Sequence, residues 1–328
     1  DAEKARNLFA SIINTETDNI ALIPSASYGF AIAAKNIELS SSDTILLLSE
    51  QFPSNYYVWE EQSKLTGARL SIVPRPEDDD WTNSVINHID SDKSIKLISL
   101  ENNHWTDGGL LDLPQIANHI KDKNIKLLVD GTQSVGALPT DVKKMNPDFL
   151  VVSGYKWLLG PYNLGFCYIA PEFHENGQPL EHWWASKKDS VDVTSITNYP
   201  QEFLKGARKF DFGHRGNFHL LPPMISSLEQ ILEWGVDNIY EYISNLNLQI
   251  INSVSSLGIT PIDDKHRAGH YLGLRFPREV PDDFTQYLNK NNVHVSVRGK
   301  YAVRVTPNVW VDEQDIDKFV STVKSYFK

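Results

Sequence analysis

Residues 127–165 read LLVDGTQSVGALPTDVKKMNPDFLVVSGYKWLLGPYNLG. Two apolar runs, 125–129 leading into this stretch and 149–153 within it, have the length and β-branched content of buried strands. The first ends in Asp130, and the second leads through Gly154 and Tyr155 into Lys156. Open α/β sheets gather ligand contacts at the carboxyl ends of their strands, where Asp130 stands. Taken alone, Asp130 also reads as a helix cap. Lys156 has no such bland reading, because it lies between Tyr155 and Trp157 and is followed by Leu158 and Leu159. A lysine seldom enters so apolar a setting without a task. Desolvation favours its neutral amine, the form that Schiff-base chemistry needs.

Outward from this stretch, short apolar runs alternate with helical patterns, which predicts a mostly parallel α/β sheet. Strands are expected at 20–23, 44–49, 69–73, 95–100, 125–129, 149–153 and 164–169, the last antiparallel to its neighbour because only a tight loop separates them. Helices are expected at 28–37, 55–66 and 113–121. From His219 the pattern changes to two long amphipathic helices, 220–234 and 236–257, which mark a hinge. Strands at 271–276, 293–297 and 301–305 and a helix at 313–327 then form a smaller α+β unit. The expected domains are residues 1–235, large and ligand-binding, and residues 236–328, small and carboxyl-terminal.

The 328 residues suffice for a large core. A formal charge of -11 opposes binding to nucleic acid or to an anionic membrane surface. The apolar stretch 149–170 is interrupted by Lys156, Pro161, Asn163 and three glycines, so it reads as strand, loop and strand and not as a membrane span. One cysteine, Cys167, forms neither an internal disulfide nor a cysteine metal cluster, which fits a cytoplasmic protein. No histidine pair has metal-ligand spacing, and no metal site is expected. The chain opens without Met on a charged run resembling the middle of a helix, so a preceding native segment is expected; that opening lacks the order of a signal peptide.

A carboxylate at one strand end and a lysine after a later strand match the pairing used with pyridoxal 5'-phosphate, in which the lysine holds the cofactor and the carboxylate keeps the pyridine nitrogen protonated. With Asp130, Gly131, Gln133, Ser134 and Gly136 followed by Ser153, Gly154, Tyr155, Lys156 and Gly160, the chain resembles the class V aminotransferase family of fold-type I pyridoxal-phosphate enzymes. That group includes cysteine desulfurases, kynureninases and isopenicillin N epimerase-like proteins. The resemblance runs from about residue 20 to 319 and implies a large lobe with a mixed, mostly parallel seven-stranded sheet and a small α+β lobe.

By the same resemblance Lys156 is the Schiff-base lysine and Asp130 the partner of the pyridine nitrogen. Gln133 hydrogen-bonds the phenolic oxygen of the cofactor. Ser153 and Tyr155 bind its phosphate, with Ser25, Ala26 and Ser27 completing the cradle where a helix begins. Phe52 stacks on the ring. Asn103, His104 or Trp105 sits near the cofactor oxygen, with His104 preferred. Arg304, with Arg298 in reserve, takes the substrate carboxylate through a bidentate guanidinium. His214 lies in a loop, 212–217, that in the family crosses to the neighbouring protomer's phosphate, which implies a homodimer with shared active sites.

The resemblance further implies an enzyme that acts on an amino-acid substrate through an external aldimine and deprotonation at Cα. Desulfurases of the family carry sulfur on a loop cysteine in the second half of the chain, whereas Cys167 stands in a strand after the lysine. The expected reaction is therefore β-elimination by a C–S lyase without a persulfide cysteine. Aminotransferase or epimerase chemistry uses the same residues. A non-catalytic pyridoxal-phosphate-binding protein is the alternative of another class.

Overall fold

The computed structural model describes residues 1–190, 192, 194 and 196–328. They form two compact units. The first comprises Asp1–Arg75, Thr82–Asn102 and Asp112–Glu233; the second comprises Pro76–Trp81, Asn103–Leu111 and Trp234–Lys328. Two short segments that the sequence places in the large domain therefore cluster with the second unit. Pairing across distant residues explains one of them: Asn103 bridges Leu110, and Gly109 bridges Arg267.

The first unit is built on seven strands: β1 (Ile20–Ile23), β2 (Thr44–Leu48), β3 (Arg69–Val73), β4 (Ile95–Glu101), β5 (Lys126–Asp130), β6 (Phe149–Ser153) and β7 (Gly165–Ile169). Their order is β1-β7-β6-β5-β4-β2-β3, parallel except where β7 runs against β6 and β1. Helices α1 (Ala2–Ile12), α2 (Ala26–Asn36), α3 (Pro53–Thr66), α4 (Trp81–Ser91) and α5 (Leu113–Ile120) accompany these strands in chain order. Both faces are covered, so β1, β2, β6 and β7 are buried along their whole length, as continuous apolar strands should be. Edge strand β3 instead carries exposed residues. One apolar cluster joins Phe30 and Trp59 of the helices to Leu128, Phe149, Val151 and Cys167 of the sheet. The stretch 149–170 is indeed a strand, a loop and a strand, and no helix among the described residues is long and apolar enough to cross a membrane.

A buried ion pair fixes β1. The guanidinium of Arg6 on α1, fully buried, pairs with the fully buried Asp211 carboxylate at 2.8 Å, and Asp211 Oδ1 accepts the Leu22 N–H at 2.8 Å. Arg215 Nε adds a second cation at 3.0 Å from Asp211 Oδ2. The carboxylate thus holds the outer edge of β1 two residues before Pro24 and the α2 cap.

The second unit has an antiparallel sheet in the order β8-β10-β9, from β8 (Leu272–Arg275), β9 (Ser296–Arg298) and β10 (Ala302–Val305). Leu272, Leu274, Val303 and Val305 join Leu246, Ile250, Phe284 and Phe319 in its core. Helices Val236–Val254, Phe284–Lys290 and Glu313–Tyr326 supply the last four of these.

Candidate active site

The carboxyl ends of β1, β5 and β6 surround a cavity of about 220 Å³ within the first unit. Into it come Ser25, Ala26, Ser27 and Phe52, together with Asp130, Gln133, Ser153, Tyr155 and Lys156. Register explains part of this gathering. Asp130 lies opposite Glu101 on one side and Val151 on the other, so β4 and β5 end level while β6 runs two residues further. Ser153, the end of β6, pairs with Gly165.

Asp130 is 5% exposed, and its Oδ1 accepts the Thr132 N–H at 2.9 Å. The Thr132 hydroxyl in turn accepts the Ser153 N–H at 3.2 Å, which ties the carboxylate's turn to the end of the lysine's strand. Burial pushes the Asp130 pKa up, against the pull of Thr132 and of the Lys156 charge. A carboxylate in that state ionises most readily when a cation is placed beside it.

Lys156 follows β6 in a compact loop that is closed by hydrogen bonds from Gly154 N–H to Leu164 O at 3.0 Å and from Gly160 N–H to Gly154 O at 2.9 Å. Gly154 has no room for a side chain, since a Cβ there would lie 2.4 Å from Leu164 O. Gly136, at φ +104°, lets the Asp130 loop pack against the lysine loop, where a Cβ would meet Trp157 O at 2.5 Å. The Lys156 Nζ stands 5.3 Å from the centre of the Phe52 ring and 5.9 Å from that of Tyr155. Phe52 is itself anchored, its N–H donating to Glu101 Oε1 at 2.7 Å.

At the opposite wall Ser25 caps α2, its hydroxyl accepting the Tyr28 N–H at 3.2 Å. Ser25 and Ser27 are exposed, so the helix start presents two hydroxyls and its positive end to the cavity. The sequence reading did not single out Thr132, Ser54, Tyr162 or Asn163, which also line the cavity. Tyr162 stacks on Tyr155 with ring centres 4.1 Å apart. The position of Thr132, two residues after a strand-end aspartate, is the one signal that could have found any of the four.

A sequence profile described as Aminotransferase class-V matches residues 1–314. The chain belongs to the class-V aminotransferase family. It is 30% identical over 301 residues to a probable cysteine desulfurase of Pyrococcus abyssi, a match covering 89% of this chain and 72% of the relative. It is 22% identical over 347 residues to the hercynylcysteine sulfoxide lyase of Schizosaccharomyces pombe, covering 99% and 83%. A cysteine desulfurase structure from Thermococcus onnurineus NA1, determined without its ligand, shares the fold with a TM-score of 0.85 at 20% identity, over 99% of this chain and 83% of that one. This class-V protein is therefore a pyridoxal-phosphate enzyme. The cavity fits that cofactor: a buried carboxylate calls for a cationic nitrogen, an amine lies beside an aromatic face, and a helix start offers hydroxyls to a phosphate.

The other expected residues are not part of this lining. His214, at φ +59°, belongs to the first unit but not to the cavity lining; its ring centre is 5.9 Å from that of Trp183. His104 is in the second unit, fully buried and stacked on Trp81 at 5.1 Å, with Nδ1 2.8 Å from the Thr106 hydroxyl. Its neighbour Asn103 is equally buried, and neither end of its amide has a hydrogen-bond partner among the described residues. Arg304 and Arg298 lie on β10 and β9 of the second unit.

Proposed function

We propose that this enzyme is a β-eliminating C–S lyase, which converts an amino acid bearing sulfur on Cβ, with water, into pyruvate, ammonia and a thiol. Cys167 carries the reading. It is fully buried in β7, and burial pushes its thiol pKa far up, so it supplies no thiolate to accept sulfur. A persulfide-carrying desulfurase requires such an acceptor. The similarity to a relative named hercynylcysteine sulfoxide lyase supports the same direction.

When bound, pyridoxal phosphate supplies a conjugated ring that takes up the electron pair released at the substrate Cα. Lys156 would hold the cofactor through its amine and, once the substrate amino group has taken its place there, would take the Cα proton. Asp130, kept in place by Thr132, holds a proton on the pyridine nitrogen. Gln133 donates to the phenolic oxygen, while Ser25, Ser27, the first N–H groups of α2, Ser153 and Tyr155 bind the phosphate. Phe52 covers one ring face and, with the Tyr155 and Tyr162 stack, keeps water from it. Arg304 binds the substrate carboxylate. The chain acts as a homodimer in which the His214 loop reaches the partner's phosphate.

Cysteine conjugates and their sulfoxides test the reaction: the holoenzyme releases pyruvate from them in step with thiol or sulfenate. Absence of pyruvate, with amino groups passing instead to an added keto acid, overturns the lyase reading in favour of an aminotransferase.

A further inference from the structure

Arg298 and Arg304 lie on the same face of the small sheet. In the β9–β10 register Arg298 stands opposite Ala302, so Arg304, two residues on, is its diagonal neighbour. Like charges so placed repel one another and ordinarily have carboxylates between them. Here neither arginine has a carboxylate partner among the described residues.

Their donors are spent in a particular way. Arg304 uses Nη1 alone, donating to the Trp105 carbonyl at 3.3 Å and to the Tyr271 hydroxyl at 3.1 Å. Tyr271 donates in turn to the Trp105 carbonyl at 2.6 Å, which makes that anchor rigid. Arg298 likewise uses Nη1 alone, donating to the Val297 carbonyl at 3.1 Å, while its guanidinium lies 5.0 Å from the centre of the Trp105 ring. The Nε of Arg298 is buried with no hydrogen-bond partner. Each guanidinium therefore keeps its Nε–Nη2 edge, the edge that grips an oxyanion with two parallel hydrogen bonds. Burial and the charge of Arg304 also hold the Arg298 pKa below its ordinary value, as expected of a cation that lacks its counter-ion.

Two intact forks exceed the need of one α-carboxylate. We infer that the substrate is an amino acid with a second oxyanionic group on its side chain, Arg304 binding the α-carboxylate and Arg298 the distal anion. This rests on the reading of Arg304 as the carboxylate ligand. Trp105 serves both, its carbonyl orienting Arg304 and its ring supporting the planar group of Arg298.

A matched pair of probes tests the inference on the holoenzyme: S-carboxymethylcysteine and its amide isostere, S-carbamoylmethylcysteine. Dissociation constants come from the change that each causes in the cofactor absorption, and pyruvate is measured separately. The carboxymethyl compound should bind at least about tenfold more tightly, the scale of a charge-assisted bidentate contact. Arg298→Gln should reduce that preference to within about twofold, and Arg298→Lys, which keeps the charge but loses the fork, should fall between. Equal binding of the two probes by the wild-type enzyme overturns the inference, even if both yield pyruvate. So does an Arg298→Gln enzyme that keeps the full preference. A tenfold preference that disappears in Arg298→Gln sustains it even where no pyruvate forms, in which case only the lyase reading fails.

Discussion

The end of the large sheet and the face of the small one treat their charged groups in opposite ways. Asp130 is locked by Thr132, which is locked to Ser153, and the buried charges of Arg6 and Asp211 beside β1 satisfy one another. On the small sheet Arg298 and Arg304 are neighbours that leave their best donor edges unspent. The first arrangement holds its groups in one geometry before any ligand arrives; the second keeps binding capacity in reserve for an anion. Substitutions should therefore damage chemistry or folding in the large unit, and affinity alone in the small one.

The largest effect is expected at Lys156. Lys156→Ala should cut turnover by at least about 10³-fold and abolish the visible absorption of the bound cofactor, both read on one purified sample. Retention of either property would break the assignment of the lysine. Next comes Asp211→Asn, which leaves the buried Arg6 without its counter-charge and should lower unfolding stability by about 3–5 kcal/mol in urea titration. Arg304→Lys sharpens the contrast. Since the native guanidinium has no buried carboxylate to abandon, stability should stay within about 0.5 kcal/mol, while KM rises about tenfold through loss of the fork.

The smallest effect concerns the opposite end of the large sheet, where Asp148 accepts the Leu127 N–H at 2.7 Å and lies 2.9 Å from Lys126. Burial, reinforced by the hydrogen bond with Glu172, pushes its pKa up to about 6. A carboxyl that holds its proton more tightly when folded than when unfolded stabilises the fold at low pH. That contribution is lost as pH rises through 6. Between pH 5 and 7 the wild type should lose about 1 kcal/mol relative to Asp148→Asn, measured as the difference in urea stability. A difference of the opposite sign would show that the Lys126 charge dominates the site.

Most of the large sheet was legible because its strands are continuous apolar runs, and β1, β3 and β6 begin and end where the pattern says. The antiparallel return of β7 followed from loop length alone. Helices α4 and Phe284–Lys290 escaped notice because polar residues of weak helix propensity fill them; yet Trp81, Val85 and Ile89, spaced by four and all buried, carry the signal. At the site, the residues around Asp130 and Lys156 were readable since each immediately flanks a strand end. Tyr162 was not. Its stacking on Tyr155 depends on a loop whose Leu159 and Asn163 both take positive φ, a conformation that composition does not announce. The clustering of Asn103–Leu111 with the second unit depends on its bridge to Arg267, more than 150 residues away in sequence, which no local pattern foretells.

Cysteine-derived substrates divide the possible reactions by the three-carbon product they leave. Product analysis of the holoenzyme with S-substituted cysteines, counting pyruvate, alanine and ammonia together, is the most direct test. Pyruvate and ammonia should form in equal amounts, with no alanine. With free cysteine in the same assay, alanine as the main product and sulfur retained on the protein would contradict the lyase reading.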